Sequence, residues 1–298
     1  MSFDESALAF RCGDDQLYGV LSLPHAACTR GVLIVVGGPQ YRAGSHRQFT
    51  LLARSLAANG IAAMRFDYRG MGDSQGPMRD FDNIDDDLRA AIDAFMAAVP
   101  GMREVVLWGL CDAASAIAMY AAGDARVSGL VMLNPWVRTT EGIARATLKH
   151  YYRGRLMERA FWAKLLRGRF NLARSLTSMA ALAHAVLKRG RRDEAARPPL
   201  PERMCAGIGA FKGKVMIITS GADLTAREFC DVSSATPAWK RLLEAPRVTR
   251  HQLDKADHTF SRRAWRDQVA DWTCAWVSAH DAEKPQRTAA HRPHKEIY

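Results

Sequence analysis

Six cysteines are scattered through the chain, at positions 12, 28, 111, 205, 230 and 274, and one has a context that calls for chemistry. Cys111 lies in Gly109-Leu110-Cys111-Asp112-Ala113, between a strand-like run, Glu104–Trp108, and a strongly helical run beginning at Ala113. A nucleophile set on a sharp strand-to-helix turn needs small residues around it, because its own backbone is strained and strand and helix pack closely there. The helix N-terminus favours a thiolate through the helix dipole and the nearby backbone N–H groups. A thiolate held there attacks carbonyl carbon, and the N–H of Asp112 is the expected donor to the oxygen that becomes charged. The pentapeptide alone is equally compatible with a buried structural cysteine in an ordinary βα turn. Its partners decide the matter.

Those partners follow later in the chain. The run Val215–Thr219 leads into Ser220-Gly221-Ala222-Asp223, which puts a carboxylate at the end of a strand. One strand later, Val248–Leu253 leads into Lys255-Ala256-Asp257-His258-Thr259-Phe260. His258 is then the general base for Cys111, and Asp223 is the acid that orients it. Asp257, Asp254 and Asp231 are rival acids. Asp223 is preferred because it ends a strand, whereas a carboxylate adjacent in sequence to the histidine tends to point elsewhere. A second N–H for the oxyanion is expected from the loop Gly37-Gly38-Pro39-Gln40; Pro39 has no N–H to give, which leaves Gly38.

The surrounding elements must carry these groups to one place. The chain opens as a hairpin, Ala7–Phe10 and Leu17–Leu23 about Gly13-Asp14-Asp15. Continuous apolar runs at Gly31–Val36, Ile61–Phe66, Glu104–Trp108, Val127–Leu133 and Lys214–Ser220 read as strands buried on both faces. Arg247–Leu253 is a further strand. Between them, Phe49–Ala58, Ile84–Ala98, Ala113–Ala122, Ala238–Glu244 and Arg262–His280 have helical spacing. Such alternation implies an α/β fold with a mostly parallel sheet flanked by helices, and sites in such folds collect at the C-terminal ends of the strands.

The net charge of +11 is not shared evenly. Residues 137–203 hold 16 Lys and Arg against 5 Asp and Glu, so the other 231 residues carry 26 of each sign. This block lacks strand pattern, is rich in Arg and Leu with Tyr151, Tyr152, Phe161 and Trp162, and ends in Arg197-Pro198-Pro199-Leu200-Pro201. The expected organisation is a core of residues 1–136 and 204–281, a basic helical cap of residues 137–203, and a disordered tail of residues 282–298. The cap could attract an anionic small-molecule or acyl-carrier substrate or touch a membrane surface; its Arg stems could equally cover apolar surface. Basic charge without a recognised nucleic-acid motif argues against DNA or RNA as a partner. Cysteine spacing gives neither a zinc site nor a disulfide framework, no cofactor motif is present, and an acidic N-terminus without an apolar run points to a cytoplasmic protein.

Four stretches together carry a resemblance: Val35-Val36-Gly37-Gly38-Pro39-Gln40-Tyr41-Arg42, Gly44-Ser45-His46-Arg47-Gln48-Phe49, Asp67-Tyr68-Arg69-Gly70-Met71-Gly72-Asp73-Ser74 and Gly109-Leu110-Cys111-Asp112. Over residues 5–280 the chain resembles the exosortase-A-system-associated α/β hydrolases of the first type. That resemblance implies the α/β-hydrolase fold with a cap insertion, in which nucleophile, acid and histidine come in this order along the chain. It also implies a bacterial setting of exopolysaccharide synthesis and PEP-CTERM protein sorting, and supplies no substrate. The departure is Ala113, where a glycine is usual. The expected activity is hydrolysis of an ester or thioester through an acyl-enzyme. Acyl transfer to a hydroxyl, or non-catalytic binding to an anionic surface, are the alternatives.

Overall fold

In the computed structural model the described residues are 2–38, 40–137 and 197–282, with side chains described as far as residue 279. Of the expected basic cap, residues 138–196 lie outside the described residues, as do residues 283–298 of the expected tail.

Eight strands form one sheet in the order β1-β2-β4-β3-β5-β6-β7-β8. They are β1 (Phe3–Cys12), β2 (Asp15–Pro24), β3 (Arg30–Val35), β4 (Ala62–Asp67), β5 (Glu104–Leu110), β6 (Val127–Leu133), β7 (Lys214–Ser220) and β8 (Val248–Leu253). The hairpin β1–β2 is antiparallel, β2 joins β4 antiparallel, and every later pairing is parallel. Parallel pairing needs crossovers, and helices supply them. The helices among the described residues are α1 (Gln48–Ala58), α2 (Asp85–Ala98), α3 (Asp112–Tyr120), α4 (Leu200–Ala210), α5 (Leu224–Ala235), α6 (Pro237–Leu243) and α7 (Arg263–Ala282). None of them is long and apolar enough to cross a membrane.

The continuous apolar strands feed two cores, one on each face. Leu33, Val35, Val105 and Leu107 point to the side covered by α2, α3, α4, α5 and α6. Their neighbours Val32, Ile34, Val106 and Trp108 point to the side covered by α1 and α7. This is why β3 and β5 read as unbroken runs: alternate side chains bury on opposite faces, and both faces are apolar. Phe95 of α2 and Phe49 of α1 are fully buried, one on each side. Truncating either to alanine would cost about 3–5 kcal/mol.

Two helices differ from the sequence-based expectation. Helix α5 has a mostly polar sequence, LTAREFCDVSSA, that buries only one large apolar side chain, Phe229. Its visible signal is at the front, where Asp223 caps it by accepting from the N–H groups of Thr225 and Ala226. Helix α4 starts at Leu200 with Pro201 in its first turn, a position that tolerates the missing N–H. Leu200 and Met204 of this helix belong to the core. Gly207 lets α4 lie close on α3, since a Cβ there would fall 2.3 Å from the Ala118 carbonyl oxygen.

The registers bring one set of strand ends into line. Val35 of β3 pairs with Gly109 of β5, Leu110 with Leu133 of β6, Leu133 with Ile218 of β7, and Ser220 with Leu253 of β8. The loops after β3, β5, β6, β7 and β8 therefore emerge along one edge of the sheet, and every candidate residue lies in one of them.

Candidate active site

Cys111 stands alone between β5 and α3 with φ 63° and ψ −124°. A non-glycine residue held at positive φ stores about 1–3 kcal/mol and persists only where its surroundings impose it. Here they do. Its N–H donates to the Leu133 carbonyl at 2.9 Å, and its carbonyl accepts from the N–H groups of Ala114 at 3.1 Å and Trp136 at 3.2 Å. The elbow is also sterically locked: a Cβ on Gly109 would fall 2.7 Å from the Ala113 carbonyl carbon. On the facing loop, a Cβ on Gly37 would fall 2.4 Å from the Leu110 carbonyl oxygen. Ala113, buried completely, fits the place where glycine is usual.

His258 comes from the loop after β8. Its Nδ1 lies 2.9 Å from Asp223 Oδ2, and Cys111 is near enough to act on the ring. With Nδ1 engaged, Nε2 is the nitrogen left for the thiol. The bond to Asp223, and next the proximity of Cys111, push His258 up to about 10 against the opposing effect of burial. Burial works to raise Asp223; the hydrogen bond and charge of His258, with two backbone N–H groups, outweigh it and hold the carboxyl below its usual range. The rival acids are turned away. Asp257 accepts from the Ser261 N–H at 2.9 Å and from the Ser261 hydroxyl, Asp254 accepts from Gln252 Nε2 at 2.7 Å, and Asp231 is exposed on α5.

The expected oxyanion donors meet something the sequence did not suggest. Gly38, at φ 62°, brings its N–H to 2.7 Å from Asp112 Oδ1, and the Ala113 N–H donates to the same oxygen at 2.8 Å. Burial raises the Asp112 carboxyl, against the backbone bonds from Gly38, Ala113 and its own N–H. The two loops therefore do converge, with a carboxylate between them.

Sequence reasoning also missed Asn134, the residue after β6. It is fully buried and has φ 41°, a conformation asparagine tolerates better than most. Its Oδ1 accepts from the Ser220 N–H at 2.8 Å, and its Nδ2 donates to Ser220 Oγ at 2.8 Å and to the His258 carbonyl at 2.9 Å. Ser220 Oγ donates in turn to the Asp257 carbonyl at 2.8 Å. One amide thus ties the ends of β6 and β7 to the backbone of the histidine loop. The only hint in the sequence was an amide residue at a parallel strand's C-terminal end.

The rim is cross-braced. Asp67, fully buried at the end of β4, accepts from the Arg42 N–H at 2.6 Å and pairs with the Arg42 guanidinium, which also reaches Asp73 at 2.6 Å. Arg69 grips the buried carboxylate of Asp87 through Nε at 3.0 Å and Nη2 at 2.8 Å. These contacts brace the loop of residues 67–74 from both sides.

Residues 32–289 match the model of the alpha/beta hydrolase family. No curated protein sequence matches the chain. Among solved structures, an esterase of Pyrococcus furiosus is similar with a TM-score of 0.64 at 13% identity, covering 93% of this chain and 91% of its own. The α/β hydrolase GrgF of Penicillium is similar with a TM-score of 0.60 at 18% identity, covering 94% of this chain and 99% of its own. Dienelactone hydrolase of Anabaena variabilis gives a TM-score of 0.58 at 14% identity, with 94% and 99% covered. Identities this low speak for the fold, and the family model spans most of the sequence. The chain belongs to the alpha/beta hydrolase family.

Proposed function

We propose that this protein hydrolyses an ester or thioester through an acyl-enzyme on Cys111, with His258 as acid and base and Asp223 as its orienting carboxylate. The observation that carries this reading is the strained backbone of Cys111, which shares one edge of the sheet with a histidine hydrogen-bonded to Asp223. The Cys111 thiolate attacks the carbonyl carbon, and the C=O π pair moves onto oxygen, where the N–H groups of Asp112 and Gly38 are the donors. Collapse expels the alkoxide or thiolate, which takes a proton from imidazolium His258. Water then gives a proton to His258 and its oxygen to the thioester carbon, releasing the acid and the Cys111 thiolate.

The proposal extends in two directions. The motif resemblance assigns the enzyme to exopolysaccharide and exosortase systems. The 16 Lys and Arg of residues 137–203 favour an anionic substrate, such as an acyl-CoA, over a neutral one.

The test offers p-nitrophenyl esters and acyl-CoA thioesters to the wild type, to Cys111→Ala and to iodoacetamide-treated protein. Turnover is expected in the first and should fall by about 10³-fold or more in the others. Intact mass spectrometry should find one acyl group, on Cys111. No turnover with either substrate class, together with no adduct at Cys111, would sink the proposal.

A further inference from the structure

The carboxylate of Asp112 lies where this mechanism least needs a negative charge. Its Oδ1 receives the Gly38 N–H at 2.7 Å and the Ala113 N–H at 2.8 Å. The first of these is one of the two N–H groups that the mechanism assigns to the oxyanion. An amide N–H carries one hydrogen and makes one good bond at a time. While the carboxylate holds the Gly38 N–H, a tetrahedral intermediate finds that donor occupied and meets a like charge at the same place. Space reinforces the contact. Gly37 has no side chain, and a Cβ there would stand 2.4 Å from Asp112 Oδ1, so the loop can sit down on the carboxylate only because this position is glycine.

We propose that Asp112 is an internal, displaceable ligand of the oxyanion cradle, and that acylation of Cys111 requires its carboxylate to leave the Gly38 N–H. The proposal rests on the reading of Cys111 as nucleophile. Asp112 thereby sets the acylation rate: substrates that draw the carboxylate out of the cradle react, and those that leave it in place do so slowly. The backbone N–H of residue 112 survives any substitution, so the side chain can be removed without removing that donor.

Two rates separate this role from simple support of the loop. Single-turnover release of p-nitrophenol from p-nitrophenyl acetate reports acylation, which needs the cradle. Alkylation by iodoacetamide reports the same thiolate in a displacement that forms no oxyanion. In Asp112→Ala, acylation should rise about tenfold or more, since one oxyanion donor is worth about 10²–10³ in rate. Alkylation should change far less. Asp112→Asn keeps the side chain's shape with a weaker, uncharged acceptor, and acylation should rise by a smaller factor; it carries the test should the alanine variant fail to fold. Acylation that falls or stays level in a folded variant, with alkylation intact, would show that the carboxylate supports the cradle, and would overturn the proposal. If Cys111 of the wild type is neither acylated nor alkylated, the nucleophile reading fails first and takes this proposal with it.

Discussion

Replacing Asn134 with alanine removes three hydrogen bonds at once, and their partners set the size of the effect. The Ser220 N–H, in a residue 2% exposed, loses its acceptor and has no water to replace it. A buried orphan of this kind costs about 1–3 kcal/mol. Alanine at φ 41° adds about 1 kcal/mol, because its Cβ crowds the left-handed region and it has no polar side chain to compensate. Ser220 Oγ is partly protected, since its bond to the Asp257 carbonyl remains. The sum is about 2–4 kcal/mol, which for a chain of this size lowers Tm by roughly 4–16 °C. The second consequence is functional: the His258 carbonyl loses its tether, and a displacement of about 1 Å at the imidazole would cost about 10² in kcat/KM. Asn134→Asp separates the two effects. It keeps an acceptor for the Ser220 N–H but sets an oxygen against the His258 carbonyl in place of the donor. Tm and kcat/KM should fall together in the alanine variant, while the aspartate variant should lose activity out of proportion to its Tm. A Tm change under about 2 °C in Asn134→Ala, with kcat/KM unaltered, would refute the role assigned to this amide.

Other outcomes follow from contacts already described. Gly109→Ala drives a Cβ to 2.7 Å from the Ala113 backbone and should cost about 1–3 kcal/mol by thermal melting, along with most acylation; a neutral result would mean the elbow is looser than drawn. Arg69→Ala strands the buried Asp87 carboxylate and should destabilise by about 3–5 kcal/mol in urea unfolding, with a smaller effect on the alkylation rate of Cys111. His258 is held near 10, above its usual unfolded value of about 6.5, so the stability it contributes is fully present below about pH 6.5 and is lost as pH rises toward 10. Wild-type Tm should therefore decline across that window, and Asp223→Asn, which removes the chief cause of the shift, should flatten the slope. Equal slopes would contradict the coupling. Ala113→Gly restores the usual residue and should leave acylation within about twofold while lowering stability by up to about 1 kcal/mol.

How far the sequence led depends on the range of the interactions involved. Strands β3, β5, β6 and β7 were legible because burial on both faces demands unbroken apolar runs, and β6 and β7 appear with the ends read from sequence. Helix α5 was not, because its composition is mostly polar and Phe229 is the one large apolar side chain it buries. Asp223 could be preferred over its rivals because it follows a strand directly, and local order along the chain was enough to say so. The roles of Asn134 and Asp112 lay beyond that reach. Asn134 meets residues 86 and 124 positions away, and the Gly38 N–H reaches Asp112 across 74 positions. No local pattern encodes which way a short polar side chain will turn when its partners come from another strand.

The junction between β6 and β7 has a consequence for how such an enzyme can diversify. The two strands are neighbours in parallel register, yet Leu133 and Lys214 are separated by residues 134–213, the longest interval between adjacent strands of this sheet. Closing a chain segment costs entropy that grows only with the logarithm of its length, about 0.6 kcal/mol for each doubling. An insertion at this joint, between Val137 and the start of α4, can therefore lengthen, shorten or change its sequence wholesale while the sheet loses almost nothing in stability. Asn134 clamps the two strand ends on which it is mounted. Selection can thus vary that segment with little risk to the folded core, and lineages sharing one scaffold are free to part company at this single seam.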